Sequence, residues 1–455
     1  MNRALSHYAA AMRGVLHGAE ASFSAVSTDS RTLAAGELFV ALVGPSFDGH
    51  DFVAAAAARG AAGVVVSRRM AVDVAQIVVG DTLLALQDAA AAWRLQFPIP
   101  VVAVAGSNGK TTTKELIAGI LAGYGSCLAT RGTLNNHIGV PLTLLGLDRK
   151  HASAVIEIGA NHPGEVAALV PLVQPTVGIV TNAGAEHLEG FGSLDGVARA
   201  EGELYARLNA GAAAIINVDD PYAGLWRGMN AATREIGFGF AAEADFRVVG
   251  AVRATGLAGS VQEFEMASPA GVAHVQLTLA GRRNVQNALG AAAAAYAVGI
   301  DLQGIAAGLG RMRPVKGRLE IKLAASGARL IDDSYNANPS SLVAGLEVLA
   351  AQGGERWLVL GDMAELGEAT QEAHRVAGRA ARGAGVTRLF AVGQLTADAV
   401  SEFGAGGEWF PNGSALAARV APLLHEAVTV LVKGSRVNRL EQVVAVLAPQ
   451  STEGR

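Results

Sequence analysis

The apolar run VVAVA (residues 101–105) leads directly into Gly106-Ser107-Asn108-Gly109-Lys110-Thr111-Thr112, and the helix-forming segment KELIAGIL follows. A buried strand, a glycine-rich turn and a helix N-terminus make an anion cradle. The glycines let backbone amides turn inward, and the helix end adds partial positive charge. Such a unit constrains the chain to an α/β fold with a parallel sheet and ligands at the carboxyl ends of its strands. Lys110 is placed to reach the β- and γ-phosphates of a nucleotide, and Thr111 to hold Mg²⁺. The longer Walker spacing needs glycine at 104, where Val104 stands, so this is the shorter GxxGKT form.

The same rhythm extends along the chain. SAVIEIGA, TVGIVTN and AAAIINVDD are further buried strands, followed by the alternating segments FRVVGAV and HVQLTLAG, which read as an antiparallel ribbon. Before it, GELFVAL, AAGVVVS and AQIVVG surround the Ala-rich FVAAAAARGA, a small α/β pattern. After RMRPVKGRLE the pattern restarts with ARLIDDSYNANP, ERWLVLGD, TRLFAVG and VTVLVKGS, a Rossmann-like unit. A chain of 455 residues exceeds one compact core. Three domains are expected, over residues 1–84, 85–312 and 313–455, with RMRPVKGR as the hinge.

Composition narrows the function. A formal net charge of -4 supplies no basic stripe for a nucleic-acid backbone. The single cysteine, Cys127, cannot form an internal disulfide and reads as a small buried hydrophobe. The first twenty residues carry Arg3, His7, Arg13, His17 and Glu20, too many charges for a signal peptide, and read as a first helix. The uncharged stretch from Val166 to Ala185 is broken by Pro171 and Pro175 into a helix end and a strand. No membrane insertion is expected, and the location is expected to be cytoplasmic.

Two residues at strand ends join the loop. Glu157 closes SAVIEIGA, where a carboxylate can face a magnesium ion, and His187 follows TVGIVTN in the same way. Residues at the carboxyl ends of successive strands favour one shared site.

GSNGKTTTKE, TLNNHIGVPLTLL, EIGANHPGE, TNAGAEHLEGFGS, NVDD, RRNVQNALGAAAA, GRLE and DDSYNANPSS occur in that order over nearly the whole chain. The set resembles the Mur ligases, ATP-dependent enzymes that build the peptide of bacterial cell-wall precursors. The resemblance implies a site that uses ATP and Mg²⁺, with Lys110, Glu157 and His187 catalytic. It implies that Gly106 to Thr112 hold the phosphates, Asn284 and Asn287 contact adenine, Arg318 reaches the phosphates and Asp333 holds the ribose. Thr28, Asp29, Ser30 and Arg31, before GELFVALVGPSFDGHDF, resemble the family's uridine-nucleotide domain. Asn135, Asn136, His137, Asn161, Tyr335, Asn336 and Asn338 then fall to the peptide substrate, and Lys433, Ser435 and Arg436 to a carboxylate.

Within the family, TLNNHIGVP and SYNANP are similar to the member that joins D-alanyl-D-alanine to a UDP-N-acetylmuramoyl-tripeptide. The DNPR segment of the sister enzyme that adds a diamino acid is absent. That sister enzyme, a nucleotide-driven switch and an impaired homologue remain the alternatives. The resemblance implies a monomer with small-molecule substrates. One departure stands out. The family carries a carbamylated lysine fourteen positions after the histidine at 187, as a metal ligand, and this chain has Glu201 there. A glutamate supplies the same charge on a shorter arm, so Glu201 joins Thr111, Glu157 and His187 in the expected metal set.

Overall fold

The computed structural model describes residues 3–232 and 234–449. Its first sheet has five strands in the order Val15–His17, Gln76–Val78, Gly63–Val66, Leu38–Val40, Val26–Ser27, parallel except at the Val15–His17 edge. Alternation sends Phe39, Val64 and Val66 to one core, and Leu38, Val40 and Val65 to another. The second core does not stop at the domain edge. Asp81 caps the helix Thr82–Arg94 by accepting from the amides of Leu83 and Leu84. That helix buries Ala85, Leu86, Ala89 and Trp93 together with Val101, Ala103 and Leu144 of the next unit. The expected break between residues 84 and 85 therefore falls inside one continuous helix.

The central sheet is parallel, in the order Arg234–Phe238, Ala213–Asn217, Val177–Val180, Val101–Ala105, His151–Glu157, Ser126–Ala129. The chain visits the two strands on one side of Val101–Ala105 before crossing to the other. The phosphate loop thus leaves the sheet where the strand order reverses, the position at which open α/β sheets form a crevice. Both faces are covered, one by Lys110–Leu121 and Arg282–Ala297, whose buried alanines 291–295 permit close approach. An antiparallel three-stranded sheet of Arg247–Thr255, Val261–Ser268 and Gly271–Leu277 follows.

The last sheet runs Glu320–Leu323, Arg329–Asp333, Val428–Lys433, Glu355–Gly361, Arg388–Val392, Gly407–Phe410, with only the first strand antiparallel. Its central strands end in Asp333 and Lys433, facing the central domain.

Two readings of the sequence change. The first helix ends at Ala11, because the chain reverses at Arg13 (φ 54°) and continues as the strand Val15–His17. Cys127 is half-buried, on the edge strand Ser126–Ala129, not enclosed in the core. Among the described residues no helix is long and apolar enough to cross a membrane.

Candidate active site

The loop is shaped by two left-handed glycines, Gly106 (φ 113°) and Gly109 (φ 84°), the second capping the helix Lys110–Leu121. It is braced by the end of the neighbouring strand. The amide of Ser107 donates to the Asn182 carbonyl (2.8 Å), and that of Asn108 to Asn182 Oδ1 (3.1 Å). Behind the loop, Glu201 on the helix Leu194–Ala206 accepts from the Gly106 amide through Oε2 at 2.6 Å. Only 1% of Glu201 is exposed, which rules out a solvated helix position for it.

Lys110 Nζ donates to the carbonyls of Gly106 and Ser107 and to Glu186 Oε1, 3.2 Å away. Burial pulls the ammonium's pKa down, but the charges of Glu186, Glu201 and Glu157 outweigh it, so Lys110 stays charged. Burial pushes the Glu186 carboxyl up to about 7 against the pull of Lys110, and burial also raises Glu201. Glu157 ends its strand with its amide donating to Thr130 Oγ1 (2.9 Å) and Oε1 accepting from Asn135 Nδ2 (2.9 Å). Its Oε2, like Glu201 Oε1, is buried without a partner.

One cation facing three buried carboxylates, two of them with an orphaned oxygen, is an environment short of positive charge. Hard oxygen donors of this kind suit Mg²⁺. Among the described residues no three His, Cys, Asp or Glu side chains form a metal cluster, and a magnesium ion held by one or two carboxylates and nucleotide phosphates requires none.

A cavity of about 560 Å³ opens in front of the loop. One wall is Ser107 to Thr112 with Glu157, Glu186 and His187; Asn135, Asn136, His137 and Asn161 line it, as do Asn284, Asn287, Arg318, Asp333, Tyr335, Asn336, Asn338 and Lys433. The central and third domains thus share it. Asn108 Nδ2 donates to Ser340 Oγ, and Asn338 Nδ2 to Asn108 Oδ1, both at 2.9 Å. Asn338 also caps the helix Pro339–Ala350. Lys433 donates to Asp333 Oδ2 and to the Asn336 carbonyl, and burial raises the Asp333 carboxyl against that lysine. The guanidinium of Arg318 lies 4.1 Å from the centre of the Tyr335 ring. Asn287 Nδ2 donates to Asn284 Oδ1 at 3.2 Å, directly behind Gly109.

Several expected residues lie outside the cavity wall. Gly106 and Glu201 are behind it. Thr28 to Arg31 belong to the first domain, where Asp29 Oδ1 accepts from the Arg31 amide and Nε, both at 2.9 Å, and these bonds hold its carboxyl at about 2. Arg436 sits 5.6 Å from the Tyr335 ring. The Ser435 hydroxyl donates to the Asp362 carbonyl and accepts from the Ala364 amide (2.8 Å), which makes it a loop brace. Ser435→Ala strands the Ala364 amide and is expected to cost about 1–3 kcal/mol of stability, with KM for every substrate unchanged; urea unfolding and initial rates measure the two. The sequence reading missed Glu186, although it directly precedes His187, and Glu365, whose carboxylate pairs with His187 Nδ1.

A phosphate loop at a sheet's reversal point, with a second sheet domain apposed across the nucleotide crevice, defines a nucleotide-dependent enzyme whose site is assembled between domains. Residues 22–94 match the domain described as Mur ligase family, catalytic domain, residues 104–295 the Mur ligase middle domain, and residues 317–436 the Mur ligase, glutamate ligase domain. The chain is 44% identical to the UDP-N-acetylmuramoyl-tripeptide--D-alanyl-D-alanine ligase of Escherichia coli, over 98% of this chain and 99% of that one. With the enzyme of that name from Haemophilus influenzae the identity is 37%, covering 92% of each. The crystal structure of MurF from Acinetobacter baumannii superposes with a TM-score of 0.91 at 35% identity, covering 97% of this chain and 98% of that one. The chain belongs to the Mur ligase family.

Proposed function

We propose that the protein is the ATP-dependent ligase that joins D-alanyl-D-alanine to UDP-N-acetylmuramoyl-tripeptide, giving the pentapeptide precursor of peptidoglycan with ADP and phosphate. The observation that carries this reading is end-to-end similarity to relatives that bear this activity in their names, at 44% and 37% identity. The cavity supports it, since it joins a phosphate cradle to an amide-rich wall of Asn135, Asn136 and Asn161.

The tripeptide's terminal carboxylate attacks the γ-phosphorus of ATP, forming an oxygen–phosphorus bond as the bond to ADP breaks. The amine of D-alanyl-D-alanine then adds to the acyl phosphate carbon. The tetrahedral intermediate expels phosphate and the nitrogen loses its proton. The amides of Ser107 to Thr112 and the Lys110 ammonium hold the phosphates and offset the charge that gathers when two anions meet. Asn135 fixes the Glu157 carboxylate, and the apposed third domain excludes water that would hydrolyse the acyl phosphate. Thr111 and Glu157 would hold magnesium, with His187 and Glu201 nearby, and the ion would supply further neutralisation of phosphate charge. Asn284, Asn287, Arg318 and Asp333 take the adenosine side, Thr28 to Arg31 the uridine nucleotide, and Lys433 and Arg436 a substrate carboxylate. Nucleotide-linked substrates and ATP place the work in the cytoplasm, with the enzyme acting as a monomer.

Glu201 gives the site a permanent carboxylate in place of a carbamate. Activity in CO₂-depleted buffer is therefore expected to be unchanged by bicarbonate, and a rate that rises on its addition would contradict this. The ligation chemistry is tested by oxygen transfer. Tripeptide labelled with ¹⁸O in the terminal carboxylate should deliver label to the released phosphate, and unlabelled phosphate would overturn the acyl-phosphate route.

A further inference from the structure

Two left-handed residues face each other across the domain interface. His187 (φ 47°) precedes the short helix Leu188–Phe191 of the central domain, and Glu365 (φ 63°) lies on the loop after the strand Glu355–Gly361 of the third. Histidine tolerates this region better than most side chains, whereas glutamate does not, so the surroundings must impose the backbone of Glu365. Their side chains meet, with the Glu365 carboxylate on His187 Nδ1. The turn that follows Glu365, Gly367–Ala369, packs on Leu188–Phe191, which fixes the approach. His187 lines the cavity, and among the described residues its Nε2 has no partner.

We propose that Glu365 is a positioning residue that acts through His187. The third domain supplies the carboxylate that keeps the proton on Nδ1, fixes the plane of the ring and leaves the Nε2 lone pair for the cavity. Outer carboxylates commonly set the tautomer and orientation of functional histidines in this way. Because the two partners come from different domains, the imidazole is set only while the domains are apposed. The inference rests on the ligase reading and deepens it, by naming a residue through which domain apposition completes the site. A rim ion pair with no such task would contribute little, since the Glu365 side chain is 59% exposed.

The test uses Glu365→Ala and Glu365→Gln in the full-length enzyme. The alanine variant is expected to lose about 10- to 100-fold in kcat, with KM for ATP within about twofold of wild type, the pattern of a lost transition-state contribution. The glutamine variant, which keeps an oxygen at this position without the charge, is expected to fall between. A second readout separates positioning from general damage. In ¹⁵N-histidine-labelled, nucleotide-free protein, with the His187 signal assigned by its loss in His187→Asn, wild type and Glu365→Gln should show an Nδ1-protonated ring, and Glu365→Ala should not. Unchanged kcat in Glu365→Ala, or an unchanged ring signal, would overturn the proposal. A wild-type enzyme that fails to ligate D-alanyl-D-alanine would instead remove the ligase reading and leave the ring comparison intact.

Discussion

Lys110→Met should lower kcat at least about 10³-fold while leaving the fold in place. The ammonium is the cation nearest the phosphate cradle, donating to Glu186 and to the carbonyls of Gly106 and Ser107. When the tripeptide carboxylate meets the γ-phosphate, its charge is needed most in the transition state, so kcat carries the loss. Methionine fills a similar volume without charge. The carboxylates of Glu186 and Glu201, already raised by burial, would respond by holding protons more tightly, which limits the cost to stability. Single-turnover phosphate formation, beside far-ultraviolet circular dichroism of the same sample, separates the two effects. Activity within tenfold of wild type would contradict the role given to Lys110.

Gly109→Ala is the second large effect, and it acts on binding. An added Cβ would lie 2.5 Å from Asn287 Oδ1 and 2.9 Å from its Nδ2, on a backbone with φ 84°. The strain alone is worth about 1–3 kcal/mol. Displacing Asn287 breaks its bond to Asn284 as well, so nucleotide affinity should weaken about 100-fold or more. Because Asn287 also takes the adenosine side, Asn287→Gly alone is the reference for the double variant Gly109→Ala with Asn287→Gly, which lacks the collision and keeps the backbone strain and should bind more weakly than that reference. Titration with a fluorescent ADP analogue reads each variant. Affinity in the double variant equal to that of Asn287→Gly alone would show that the left-handed backbone carries no cost.

The central strands of each large sheet were legible because both of their faces are buried. VVAVA, SAVIE, VGIV and AAIIN are near-continuous apolar runs, and so are RLIDD, ERWLVLG, RLFAV and VTVLVK at their centres. In the two six-stranded sheets the strands that escaped reading are Ser126–Ala129, Arg234–Phe238, Glu320–Leu323 and Gly407–Phe410, and each is a sheet edge. An edge is covered on fewer sides, so SCLA, REIGF, EIKL and GEWF need less apolar character and leave a weaker pattern. The helix Thr82–Arg94 was split by the expected boundary because its apolar face serves the first and central domains at once.

The site followed the same logic. Lys110, Glu157 and His187 were legible as candidates because Glu157 closes a strand and the other two lie on segments that leave the carboxyl ends of neighbouring strands, positions that the pattern of strands locates. Glu365 could not, since its relation to His187 depends on how two separately folded sheets are apposed. Glu201 was visible as a departure from a resemblance, but its bond to the Gly106 amide required coordinates. Ser435 was read as a hydroxyl beside the last strand available to substrate, and the structure shows that hydroxyl bonded to the turn at Asp362 to Ala364, a relation that no local pattern announces.

The most direct measurement is phosphate release from ATP and Mg²⁺ in two matched assays. One contains UDP-N-acetylmuramoyl-tripeptide with D-alanyl-D-alanine, and the other the corresponding dipeptide substrate with a free diamino acid. Release that depends on D-alanyl-D-alanine, with a pentapeptide product of the matching mass, is the predicted result; release only with the diamino acid would assign the chain to the sister reaction and contradict the account.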